Sequence, residues 1–294
     1  MLLLSLSAKA QTNVYSYLPD NFDELTYPEQ FKILDSLRPV EDRPFEVNVG
    51  LYLLGMNLAE EADKPADVSL WASTVSRMYG NFGLYTESIN YGLVALENAR
   101  KASSLKHEVE ALFRLGRTQR DLQNFGEAVI YAMEAIEKSK ALPDSIAKNR
   151  GWAYNMAGEI YRMSGQYDEA IPYYESALEE FTKLDYLGGM EAATHNIGLT
   201  EANRGNLEKA RDLLNQKMSS NFAVDPVRKL EYLEGMVKIR VHSDSINAAL
   251  QTAQEGLQFA DSINNARWKV LFLDLMAGLE KDRKNWETAW DYRE

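Results

Sequence analysis

A unit that recurs about every 40 residues constrains this chain more than any other feature of it. Its clearest copy runs from Gly151 to about Leu184 and carries Tyr154, Ala157, Gly158, Tyr161, Gly165, Tyr167, Ala170, Tyr174, Ala177 and Leu178. Small residues at Gly158, Ala170 and Ala177 suit a close crossing of two helices, and the tyrosines fill the gaps around it. Such a unit buries its apolar face only by stacking on neighbours. Aligned on Gly158, the equivalent positions are Ser76, Gly116, Gly198, Val237 and Ala277. A second small residue follows in the same register each time: Ser88, Ala128, Ala170, Ala210, Ala249, Ala289. A third reads Ala95, Ala135, Ala177, Lys217, Gly256, in which only Lys217 breaks the column. The expected turn column reads Tyr85, Phe125, Tyr167, Leu207, Ile246, Trp286.

These residues resemble the tetratricopeptide repeat family, in which a tryptophan-like residue, a Leu-Gly pair, a tyrosine, an alanine, an aromatic and a second alanine recur at fixed offsets. The best matches are AYNMAGEIYRMSGQYDEAIPYYESAL and ALFRLGRTQRDLQNFGEAVIYAMEAI. The resemblance covers roughly Asp67 to Glu294. It implies an all-α chain: an α-solenoid, a right-handed superhelix of helix–turn–helix repeats with about fourteen helices. The family's usual period is about 34 residues, so each copy here has room for about six more, in its helices or in its turns. Long-period arrays of this kind resemble those of exported bacterial sensor proteins, where a membrane helix and a histidine kinase, or a DNA-binding domain, often follow.

Composition limits the alternatives. Apolar residues at 45% and only 8 prolines allow long helices with a buried face. A net charge of −12 argues against a nucleic acid or an anionic membrane as the main partner, and its simplest reading is a solvated outer face. Cysteine is absent, which excludes disulfides, thiolate zinc sites, a cysteine nucleophile and a cysteine-linked lipid anchor. His107, His195 and His242 are far apart and lack metal-ligand spacing, no phosphate-binding glycine loop follows a strand, and no Gly-x-Ser-x-Gly elbow occurs. We therefore expect no catalytic residue, metal or cofactor within these residues.

Ala8-Lys9-Ala10 before Gln11 has the small-residue pattern of a signal-peptide cleavage site. Residues 1–10 read as the remnant of a signal peptide that starts upstream, giving an exported, periplasmic protein; the alternative is a frayed cytoplasmic N-terminus. No stretch is long enough to span a membrane. Residues 11–66 read as a lead-in and degenerate capping helices, and 67–294 as one repeat array. Pro65, with Asp67 or Ser69 as N-cap, opens its first clear repeat. The closing segment NWETAWDYRE leaves Trp286, Ala289 and Trp290 partly uncovered, which favours continuation beyond Glu294.

The resemblance places the first helix of each repeat along a concave groove. The family's groove offsets fall on Ser73 and Arg77; Phe113, Arg114, Arg117 and Arg120; Trp152, Asn155, Met156, Glu159 and Arg162; and His195, Asn196, Leu199 and Asn203. Gly116, Ala128, Ala135, Gly158, Ala170, Ala177, Gly198 and Ala210 are the structural positions. Five arginines in this set, Arg77, Arg114, Arg117, Arg120 and Arg162, suggest a groove that binds an acidic protein or peptide segment through charge-assisted bonds. Equally, they could pair with local acids such as Glu110, Asp121 and Glu159. The residues at the offsets of the chaperone-tail clamp do not match that clamp. Two functions remain open: the exported partner-binding array of a bacterial signalling protein such as a sensor kinase, or a free-standing adaptor or scaffold. Neither the oligomeric state nor the partner's identity can be read from the residues.

Overall fold

Turns of three residues, repeated along the chain, set its architecture. In a computed structural model that describes residues 14–37, 43–143, 148–218, 226–242, 245–263 and 265–292, fourteen α-helices and no strand occur among the described residues. After a short 3-10 turn (Phe22–Glu24) they are α1 (Tyr27–Ser36), α2 (Phe45–Glu61), α3 (Pro65–Asn81), α4 (Tyr85–Lys101), α5 (Leu105–Asp121), α6 (Phe125–Ser139), α7 (Lys148–Met163), α8 (Tyr167–Lys183), α9 (Leu187–Asn203), α10 (Leu207–Met218), α11 (Pro226–His242), α12 (Ile246–Ser262), α13 (Ala266–Asp282) and α14 (Trp286–Asp291). The all-α expectation holds. The segment around Ala8-Lys9-Ala10 and the side chains of Lys217 and His242 lie outside the described residues.

Most helices have 17 residues, so two such helices and two three-residue turns make the 40-residue period. The turns have no room for extra length, which places the additional residues in the helices. Each turn closes in the same way. After α3, the Leu84 N–H bonds back to the Tyr79 carbonyl at 3.0 Å, and the Ser104, Asn124, Gln166, Tyr186 and Asn206 N–H groups repeat that bond after the helices before them. This six-residue closure needs a left-handed residue in the middle of the turn. Glycine fills that place at Gly83, Gly165 and Gly205; elsewhere Asp63, Ser103, Gln123, Asp185 and Lys284 adopt φ of 49° to 62°. The residues read as a turn column prove to be the first residues of α4, α6, α8, α10, α12 and α14. Asp67 and Ser69 do not cap α3 but lie inside it, because Pro65 itself occupies the first turn; the Asp67 carboxylate instead accepts a hydrogen bond from the Tyr27 hydroxyl at 2.8 Å. A capping box that the sequence reading passed over opens α1, where the Glu29 carboxylate takes bonds from the Thr26 N–H (2.9 Å) and hydroxyl (2.6 Å).

The chain forms two compact units, residues 1–160 and 161–294. In the first, α1 to α6 each pack on their sequence neighbours, and α3 also meets α5, the first helix of the next repeat. Trp71, almost fully buried, ties α3 to the helices before it. Its ring lies 5.2 Å from Phe31 and 5.3 Å from Tyr52, and a Cβ at Gly55 would come within 2.8 Å of it. The second unit follows the same rule from α8 to α14, with α9 meeting α11. There Phe272 seats on Gly256 so closely that a Cβ would fall 2.3 Å from the ring. Gly55 and Gly256 are thus slots for a large side chain of the next helix. All eight structural positions are buried: Gly116, Ala128, Ala135, Gly158, Ala170, Ala177, Gly198 and Ala210. At the last helix Trp286 and Trp290 are exposed, whereas Ala289, expected to be partly uncovered, is buried against α13.

Ala170 packs with Ile171, Tyr174 and Ile197 at zero exposure. Ala170→Leu is expected to overpack this cluster and lower stability by about 1–3 kcal/mol, read as a drop in the urea midpoint; an unchanged midpoint would count against the close crossing.

Candidate functional site

Helical spacing on α5 brings Lys106, Val109, Glu110, Phe113, Arg114 and Arg117 to one face, and on α7 it aligns Lys148 with Trp152 four residues later. Together with Asn149 these residues line a cleft of about 450 Å³ in the first unit. That volume lies within the ordinary range for ligand pockets. Val109, Phe113 and Trp152 give it apolar walls. Its charged groups are Lys106, Arg114, Arg117 and Lys148 against one carboxylate, Glu110. Among the described residues neither Lys106 nor Lys148 has an ion-pair partner. The cleft is therefore cationic in a chain of net charge −12.

Arg114 stands at its centre. The guanidinium carbon lies 5.4 Å from the Phe113 ring centroid, and Nη2 is 3.7 Å from the Glu110 carboxylate, one helical turn back. Nε is buried with no hydrogen-bond partner. Burial, ahead of the like charges of Arg77 and Arg117, pulls the group down to about 10, and Glu110 opposes the shift. It remains cationic at neutral pH. The Arg117 Nη2 reaches Asn81 Oδ1 on α3 at 3.4 Å.

The five arginines expected in the groove do not act together. Arg77, Arg114 and Arg117 share a small crevice beside the cleft. Arg120 is buried and closed by its own neighbours, bonding Asp121 at 2.7 and 3.0 Å and also Glu159 on α7. Arg120 thus pairs with the local acids Asp121 and Glu159, as Arg114 does more loosely with Glu110. Arg162 belongs to the second unit, where Nε points to the Tyr174 hydroxyl at 3.3 Å. Asn155 and Met156 are buried and do not line the cleft: the Asn155 amide donates to Glu159 at 3.0 Å, and Met156 fills the space over Gly116. Ser73 is buried as well, and in the second unit so are His195, Asn196 and Leu199, while Asn203 is half-buried. Lys106, Val109, Lys148 and Asn149 were missed because they precede the positions that define the repeat. Their three- and four-residue steps to Phe113 and Trp152 were the signal that would have found them.

Stacked helical hairpins with a cleft between successive first helices define a repeat scaffold. Residues 109–138 and 149–218 match tetratricopeptide repeat models, and the chain carries tetratricopeptide repeats there. No curated protein matches it. Among solved structures, the apo form of RapI is similar in fold with a TM-score of 0.69 at 16% identity, covering 95% of this chain and 94% of that one. A Rap protein complexed with competence and sporulation factor gives 0.68 at 16%, covering 96% and 77%. The Rap conjugation gene regulator of the plasmid pLS20, in complex with the Phr* peptide, gives 0.62 at 15%, covering 93% and 80%.

Proposed function

We propose that this chain is a binding module whose first unit holds a protein or peptide segment in the cleft between α5 and α7. The observation that carries this reading is the cleft's composition: apolar walls from Val109, Phe113 and Trp152 set among four cations and one carboxylate. Apolar walls supply anchoring area, and the cations select an acidic partner. The fold is compatible with such a role, since one solved structure of similar fold holds the Phr* peptide. As the wider setting we propose an exported, periplasmic array serving a bacterial signalling protein. The capping lead-in would run over residues 11–66 and the repeats from residue 67 onward. Support for export is the Ala8-Lys9-Ala10 pattern, and mass mapping of the native N-terminus checks it: a mature start near Gln11 supports export, and an intact Leu2–Ala10 peptide opposes it.

The cleft is tested by selecting peptides from a display library on the full chain and measuring their affinity for Trp152→Ala. Loss of about tenfold or more is expected from removing this half-buried aromatic wall of the cleft, with the helical signal retained. Equal affinity for both proteins would move the binding surface elsewhere.

A further inference from the structure

Two of the cleft's four cations have partners within the chain. Arg114 lies against Glu110 at 3.7 Å, and Arg117 reaches Asn81 at 3.4 Å. The other two, Lys106 on α5 and Lys148 on α7, are exposed, and neither side chain has an ion-pair partner among the described residues. Lysines on the neighbouring second helices do find acids: Lys101 pairs with Glu97 at 2.7 Å, and Lys138 with Glu108 at 3.1 Å. Lys106 and Lys148 stand 42 positions apart, the step that also separates Gly116 from Gly158. They therefore hold one register position in successive repeats and meet at the same cleft. Its lone carboxylate, Glu110, follows Lys106 by one turn but is paired with Arg114.

The cations are also separated along the cleft. Arg117 follows Lys106 by 11 positions on α5, with Val109 and Phe113 between them. At 1.5 Å per residue that is about 16 Å. The cleft thus has a lysine end and an arginine end, with apolar wall between.

We propose that Lys106 and Lys148 together select a second acidic side chain in the bound segment, on the opposite side of its apolar anchor from the acid that meets the arginine end. An extended chain advances ~3.3–3.6 Å per residue, so the two acids stand about four to six residues apart. The selected pattern is acid, large apolar residue, acid. The proposal rests on the cleft reading above and adds the motif and the residues that set one end of it. Exposed lysines contribute modestly, and added salt weakens their share.

The test uses a heptapeptide library displayed between fixed Gly-Ser flanks, so that neither terminus brings a charge to the cleft. It is selected in parallel on the wild-type chain and on the double variant Lys106→Gln with Lys148→Gln. Wild type is expected to enrich an aromatic or large apolar residue with an acid on each side. The double variant should keep the apolar residue and one acid, and lose the other acid at a fixed side of the anchor. For one selected peptide, changing that acid to its amide should weaken binding about three- to tenfold on wild type and less than twofold on the double variant. Enrichment of a single acidic position on wild type, or of two acids unchanged on the double variant, overturns the lysine end and leaves the cleft reading standing. No enrichment of any kind on wild type overturns both.

Discussion

Trp71→Ala should unfold the chain at a markedly lower urea concentration, with a loss of about 3–5 kcal/mol, because the indole is 2% exposed and lies on Gly55 between Phe31 and Tyr52. Alanine would leave a cavity that α1, α2 and α3 cannot close without shifting. In a repeat protein the cost is expected to be local, since each unit depends on its nearest neighbours. Amide exchange in α1 and α2 should rise before that in the second unit. Phe272→Ala offers the matched experiment there, as its ring is fully buried on Gly256. Loss below about 1 kcal/mol at both sites would mean that the small-residue slots do not hold the hairpins together.

The other large effect is on binding. Exchanging both Arg114 and Arg117 for glutamate is the natural first choice from sequence. The structure modifies it, because a glutamate at 114 would set a largely buried carboxylate against Glu110, one turn earlier. Arg114→Gln combined with Arg117→Glu removes two of the cleft's four cations without that repulsion. The double variant is expected to lose affinity for an acidic selected peptide by about a hundredfold or more, as truncated charge-assisted contacts in desolvated sites cost roughly 2–5 kcal/mol. Its melting temperature should stay close to that of the wild type. Affinity of the wild type should fall with added salt, since partly exposed charges are screened beyond about 8–10 Å. Retained affinity in the double variant would reduce the arginines to ordinary surface chemistry.

Much of the scaffold could be read from the residues, and the reason is physical. Close helix crossings tolerate only small side chains, so Ala128, Ala170 and Ala210 mark the fold in any copy that keeps it. The left-handed turn residues were less visible, because Asp63, Ser103, Gln123 and Asp185 hold a conformation that glycine would have announced. The arginines show where sequence reasoning stops. Arg114 and Arg120 share a helix and a residue type, but Arg120 finds Glu159 one repeat later while Arg114, among the described residues, finds only Glu110 at 3.7 Å. That difference depends on side-chain reach across α5 and α7, which no spacing rule on one helix contains. Lys148 and Asn149 entered the site for the same reason, through the register of α7 against α5.

The central claim is the place where a partner sits, and a crystal structure of the full chain with a library-selected acidic peptide tests it most directly. Peptide density is expected between α5 and α7, with an apolar side chain against Phe113 and Trp152 and a carboxylate on Arg114 or Arg117. Peptide seated on the second helices α4 and α6, or in the second unit with the α5–α7 cleft empty, would contradict it.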